Sequence, residues 1–353
     1  MIIISAILSL LNTVWPYLVA VLMFIALILI HEFGHFITAK MFKIRVNEFA
    51  VGFGPKLLKK QGKETLYSIN LIPFGGYCAM EGEDEESNDP RAFCNAKAWK
   101  RFIVVAAGAV FNLFLGLIIV CIIVCSDPLV GTTTVAQFDE NAVSVNSGLC
   151  VGDTITEIDG RRVYTTQDIA YAFTAVPDGN IDITVKRNGE KVFLKDVAFL
   201  TESEDGINYI SLDFKFLGER KNFFNVVEST FKTTFSYCRV VWFSLIDLIG
   251  GKFGISAVSG PVGVTATIGQ AARLGILNLL PIMALITVNL GVFNLLPVPA
   301  LDGGRLVFIF LEMLLRRPVA KKYEGIIHAV GLFLLLGIMV IITFKDIWSL
   351  ITG

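Results

Sequence analysis

The sequence predicts a polytopic α-helical membrane protein of about four transmembrane helices, with membrane-associated β-elements and one inserted extracytoplasmic α/β domain. Three observations carry that prediction. Of 353 residues, 54% are hydrophobic and only 17% charged, with a mean hydropathy of +0.67, a balance no soluble domain keeps. Four stretches, roughly 15–39, 102–125, 276–311 (interrupted) and 326–344, reach the ~20 apolar residues that a spanning helix needs. Lys and Arg are also unevenly placed: the loop 40–101 holds eleven, residues 1–30 none, and the short loop after the third span adds Arg316, Arg317, Lys321 and Lys322. By the positive-inside rule both termini lie outside, and the end of the first span near residue 31 faces the cytoplasm.

The first span contains fourteen uninterrupted apolar or aromatic residues, 17–30. No basic region precedes it and no small-residue cleavage site follows, so it reads as a retained span rather than a removed signal peptide. Residues 44–80 are different. Gly52-Phe53-Gly54-Pro55 and Pro73-Phe74-Gly75-Gly76-Tyr77 bracket strand-like runs such as 65–71, which predicts short strands or a re-entrant β-loop against the first helix. The acidic run 81–89 reads as a solvated loop. From about 130 to 200, turn signals at Val151-Gly152-Asp153, Asp159-Gly160 and Asn188-Gly189 separate strand patterns, with a short helix from Thr166 as N-cap to Val176. Residues 222–249 are apolar but carry Glu228, Lys232 and Arg239 within one narrow arc, the pattern of an amphipathic helix on a membrane surface. The resulting division is 1–125 (first half of the membrane core), 126–205 (inserted domain), 206–275 (surface helix and linker) and 276–353 (second half).

Two of the three histidines stand in His31-Glu32-Phe33-Gly34-His35. The spacing puts both imidazoles on one helical face with a carboxylate beside them, suited to one zinc ion with Glu32 as general base. Ionisable groups at membrane depth cost about 2.5–3.5 kcal/mol each, and a metal offsets that cost. A catalytic zinc takes three protein ligands and keeps a fourth position open. His328, at the start of the fourth span, could be the third. Asp302 is the stronger candidate: it is the only ionisable residue in 274–304, set in Asn294-Leu295-Leu296-Pro297-Val298-Pro299-Ala300-Leu301-Asp302-Gly303-Gly304, where prolines and glycines open the helix. The six cysteines form no C-x-x-C pair, which argues against a disulfide framework or a cysteine zinc site. A net charge of −1 gives no electrostatic case for nucleic acid.

With these motifs the chain resembles the site-2 protease, or RseP-like, family of bacterial intramembrane zinc metalloproteases. The resemblance implies Zn²⁺ held by His31, His35 and Asp302, catalysis by Glu32, and Asn294 holding substrate near the metal. The segments around Gly52, Phe53 and Gly54 and around Pro73–Tyr77 are similar to the family's membrane-associated β-elements, which implies substrate contact. Ser259-Gly260-Pro261-Val262-Gly263 is similar to a segment before its third span. Ser147–Asp153 followed by Ile158-Asp159-Gly160 resembles the core of a PDZ domain; there is room for one where many relatives carry two. The implied substrates are single-span membrane proteins, anti-sigma factors or remnant signal peptides, already cut by another protease, in the bacterial inner membrane. A membrane zinc peptidase using a downstream Glu would have only Glu48 nearby, in strand-like sequence. A catalytically dead PDZ scaffold conflicts with the intact His31, Glu32, His35 and Asp302.

Overall fold

The computed structural model describes residues 2–174, 176, 178–204, 207–254, 258–317 and 321–352. The chain divides into two units, residues 1–116 with 259–353, and residues 117–258.

In the first unit α1 (Ile2–Met41) runs for 40 residues. It is followed by β1 (Val46–Gln61) and β2 (Leu66–Met80), then α2 (Ala98–Ser126). Each strand is bent into two ribbons. Residues Glu48–Val51 pair with Leu66–Ile69 on one side and with Gly76–Ala79 on the other, while Lys56–Gln61 pairs with 66–70. The short strands expected over 44–80 are thus four ribbons in the order 56–61, 66–70, 46–51, 76–80. The first bend falls where Gly52 (φ +80°) and Gly54 (φ +86°) adopt left-handed backbone, which a β-carbon at Gly52 would block by meeting Ile72 O at 2.4 Å. Ala39, Ile44, Val46, Val104 and Leu306 form the apolar cluster that fixes the ribbons to α1, α2 and the later helices.

The second half begins with α5 (Pro261–Leu274) and α6 (Ile276–Leu295), continues through α7 (Asp302–Leu315) and ends in α8 (Lys321–Thr352). Ile268, Ala271 and Ala272 of α5 bury against Ala20, Met23 and Leu27 of α1. Asp346 of α8 accepts hydrogen bonds from the backbone N–H of Gly260 and Gly263 at 2.9 and 2.8 Å, a carboxylate at a helix N-terminus where unpaired amides and the dipole favour it. The predicted break in the third span falls at 296–301, between α6 and α7. Among the described residues, four helices, Val14–Met41, Ala98–Ser126, Ile276–Leu295 and Tyr323–Ser349, are long and apolar enough to cross a membrane.

The second unit is built on an antiparallel sheet of order β10-β3-β4-β6-β7, with β3 Val130–Phe138, β4 Thr154–Ile158, β6 Asn180–Arg187, β7 Glu190–Ala198 and β10 Phe214–Glu219; the short β5 (Arg161–Arg162) pairs with β4, and β8 (Thr201–Glu204) with β9 (Ile207–Ile210). Its core contains Leu149, Ile155, Ile158, Ile169, Ile183 and Phe214. The helix α3 (Thr166–Ala172) starts one residue earlier than expected, because Thr165 rather than Thr166 is its N-cap, with the Thr165 N–H donating to Asp168 Oδ2 at 3.1 Å. Asp153, fully buried, takes two hydrogen bonds from Arg187 at 2.7 Å.

Two boundaries need correction. The inserted domain does not end at 205: β9 and β10 complete it, with Phe214 in its core. Nor is 206–275 a surface helix and linker, since α5 packs in the first unit. The helix α4 (Phe223–Ile249) does form, but its polar arc is divided. Glu228 and Lys232 pair on an exposed turn, whereas Arg239 donates to Asp168 Oδ1 at 2.8 Å and Ser236 to Asp168 Oδ2 at 2.7 Å. Asp247 of the same helix receives Arg161 at 2.7 and 2.5 Å and Tyr171 OH at 2.7 Å. A stripe of Phe224, Phe231, Phe235, Trp242 and Ile249 stays exposed.

Candidate active site

The site lies in the first unit, where the motif-bearing end of α1 meets α2, the ribbon 76–80 and the start of α7. His31 and His35 are buried, with ring centroids 4.8 Å apart. Asp302 occupies the first turn of α7. Its Oδ2 stands 3.1 Å from His31 Nε2 and 3.3 Å from His35 Nε2, and the two Nε2 atoms are 3.2 Å apart.

This triangle provides a test of metal fit. Donors of a tetrahedral zinc at about 2.0–2.1 Å stand about 3.3 Å from one another. Asp302 Oδ2 is buried and has no hydrogen-bond partner outside this group, so its lone pairs face the two imidazole nitrogens. His31, His35 and Asp302 are the one such ligand group among the described residues. They fit a zinc ion.

The surroundings fix these donors. His35 Nδ1–H donates to Val104 O of α2 at 2.8 Å, which leaves Nε2 with its lone pair free. The Asn112 side chain, also on α2, meets His31 Nδ1 at 3.2 Å. Between them lies Gly108. A β-carbon there would come within 2.3 Å of His35 Nε2 and 2.8 Å of His31 Cε1, so only glycine lets α2 run so close to the imidazoles. On the α7 side, a β-carbon on Gly303 would sit 1.8 Å from Leu296 O, so glycine is what allows the broken segment to fold back and present Asp302.

A cavity of about 590 Å³ opens at the site, with Glu32, Tyr77, Met80 and Arg305 in its wall besides the three donors. Glu32 lies against the ribbon: a β-carbon on Gly76 would stand 3.3 Å from its Cγ. The acidic loop 81–89 borders the same space. Glu83 is paired with Arg305, and Asp84 receives Arg305 Nη2 at 2.6 Å. That loop is therefore fastened to α7 rather than freely solvated.

The other sequence-derived candidates fall outside this cavity wall. Asn294 donates to Leu290 O of its own helix at 2.9 Å. Phe53 is half exposed and stacks on Tyr77 at 6.1 Å, so the Gly52-Phe53-Gly54 bend touches the site through that ring. His328 is not in the donor group. Its Nδ1 accepts the N–H of Ala300 at 3.0 Å, and Ala300 holds a left-handed backbone (φ +72°) two residues before Asp302. Glu48 is occupied by Lys56 at 2.7 Å and Ser68 at 2.7 Å, which removes the rival third ligand. Val104, Gly108, Asn112 and Arg305 were not anticipated. Asn112 had a signal, since it is the one side-chain amide in the apolar run 102–125.

A triad of two buried imidazoles and a half-buried carboxylate, with a glutamate beside it and apolar helices long enough to span a membrane around it, defines a membrane zinc metallopeptidase. The chain belongs to peptidase family M50, the site-2 proteases, which it matches over residues 19–338. It is 36% identical over 332 residues to a protein of Clostridium acetobutylicum named as a zinc metalloprotease, covering 93% of this chain and 96% of that one. A Fusobacterium nucleatum protein of the same name is 34% identical over 357 residues, with 95% and 99% covered. The regulator of sigma-W protease RasP of Bacillus subtilis is 26% identical over 426 residues, with 96% and 99% covered. The protein is an intramembrane zinc metalloendopeptidase that hydrolyses peptide bonds within transmembrane segments of membrane proteins.

Proposed function

We propose that His31, His35 and Asp302 hold the Zn²⁺ and that Glu32 is the general base. The observation that carries this reading is the 3.1–3.3 Å triangle of their three donor atoms. When bound, the metal supplies a Lewis acid that polarises the scissile carbonyl and acidifies water. Glu32 takes a proton from the attacking water and delivers it to the leaving amine nitrogen. The packing of α2 covers the imidazoles on the side away from the cavity.

A membrane-embedded substrate hides its peptide bonds in a helix and must unwind, exposing backbone groups that cost several kcal/mol unless paired. The ribbon 76–80 pairs on one side only among the described residues and lines the cavity. In this reading the unwound substrate adds to it as a further strand, a closer edge than the ribbons of 44–71. Asn294 and the Gly52–Gly54 bend serve the substrate flanking the cut. The substrates are single-span membrane proteins trimmed beforehand by another protease; the name of the Bacillus relative supports membrane-bound regulators of sigma factors. The inserted domain is PDZ-like and extracytoplasmic, both termini share its side of the bacterial inner membrane, and the donors lie near the cytoplasmic face, as the Lys and Arg distribution supports. The exposed aromatic stripe of α4 suits a membrane surface.

The test is zinc content and cleavage measured on the same purified preparations. Asp302→Ala loses both, whereas His328→Ala keeps one zinc per chain. The opposite pattern would refute the ligand set.

A further inference from the structure

We propose that Asn112 is a positioning residue for His31: its side-chain oxygen accepts the His31 Nδ1 proton and so keeps the Nε2 lone pair free for the metal. This rests on the ligand set proposed above. His31 Nε2 is the atom that enters the donor triangle, and a neutral imidazole carries one proton. If Nε2 is to be a ligand, Nδ1 must bear that proton, and a buried N–H without an acceptor costs about 1–3 kcal/mol.

Asn112 is the group placed to accept it. It is fully buried, its Nδ2 stands 3.2 Å from His31 Nδ1, and its Oδ1 has no hydrogen-bond partner. With the amide nitrogen toward Nδ1, His31 would be forced to accept there and to carry its proton on Nε2, in the middle of the three donors. A half-turn of the amide exchanges its nearly isosteric oxygen and nitrogen. The orphaned acceptor then meets Nδ1–H, and Nε2 is freed. The arrangement matches that of His35, whose Nδ1–H donates to Val104 O. One helix, α2, thus sets the tautomer of both imidazoles, from positions eight residues apart. Thr287 Oγ1 of α6 donates to the Asn112 carbonyl at 3.1 Å, which holds that part of α2 in place.

The experiment is chelator competition for Zn²⁺ on the purified full-length protein, with thermal melting of each variant as a check on folding. Asn112→Leu, similar in size but without an acceptor, is expected to weaken zinc binding by about 10–100-fold, the usual effect of removing such a partner. Asn112→Asp, which when ionised accepts and cannot donate, is expected to bind zinc at least as tightly as wild type. This second variant decides the matter even if Asn112→Leu melts early. If the amide acts as a donor to His31, Asn112→Asp loses affinity, and the inference is overturned. Wild-type affinity in a folded Asn112→Leu overturns it too. Asp302→Ala separates the two ideas: if it keeps zinc, the ligand set has failed, whereas if it loses zinc while Asn112→Leu does not, the role of Asn112 alone is wrong.

Discussion

At the residue scale, the site is a few donors made rigid by a neighbouring backbone. Glu32→Gln should bind zinc normally and cleave nothing, because all three donors remain while the proton carrier is gone. Metal analysis and a single-span substrate assay on one sample check this; hydrolysis by that variant would remove Glu32 from the mechanism. Gly108→Ala tests the close approach of α2. Its methyl would meet His35 Nε2 at 2.3 Å, and overpacking of this kind costs about 1–3 kcal/mol, so zinc affinity should fall roughly tenfold or more while the protein remains folded. Chelator competition reads it, and unchanged affinity would mean that α2 can retreat without disturbing the ligands. The clustering of His31, His35 and Asp302 was legible in the sequence for a physical reason: ionisable groups are so costly in apolar helices that each one calls for a partner. Gly108 and Val104 were not. Their importance comes from which face of α2 meets α1, and an unbroken apolar run such as 102–125 carries no marker of facing. His328 was legible as an unusual polar residue, but its acceptor role toward Ala300 depends on a left-handed turn that spacing alone does not specify.

At the element scale, glycine and proline punctuation gave the ribbons of 44–80 and the break before Asp302, since both mark where a regular hydrogen-bond ladder cannot continue. The polar arc of α4 was misread as wholly solvent-facing because periodicity assigns residues to a face without saying what covers it. The covering is an ion-pair network. Arg161 and Tyr171 hydrogen-bond Asp247 and hold its carboxyl below the usual carboxylate range, although burial opposes them; burial first and then Asp247 push the Tyr171 hydroxyl up to about 12. Because the folded pKa of Asp247 is depressed, its contribution to holding α4 is complete above the ordinary Asp value of about 3.9 and is lost as the pH falls through the lowered one. Hydrogen exchange of α4 should therefore accelerate below about pH 4 in wild type, whereas Asp247→Asn should already exchange fast at neutral pH and show no acid step from this site. An identical acid step in both proteins would place the titrating group elsewhere.

At the scale of the whole molecule, the inserted domain raises the question of control. In the topology proposed above, the inserted domain is extracytoplasmic and the donors lie near the cytoplasmic face. In that reading the domain acts on which substrates arrive rather than on the scissile bond. The fold supplies a clean way to ask. Val130 and Glu219, the first and last residues of the sheet, are paired partners on β3 and β10, and Lys221 Nζ donates to Cys125 O at 2.7 Å just outside them. Removing 130–219 therefore leaves two adjacent ends that a short Gly-Ser linker joins, whereas a cut at 205 would have left β10 and its buried Phe214 behind. We predict that the deleted enzyme still hydrolyses a single-span substrate with a short extracytoplasmic tail. It should also gain cleavage of a substrate whose large extracytoplasmic part is intact, which the full-length enzyme is expected to refuse. The measurement is a gel-shift cleavage assay with matched long and short substrates in the same membranes, alongside zinc content to show that the core is assembled. Loss of both activities with zinc retained would make the domain a support for substrate binding in general, and selection by size would then have no basis.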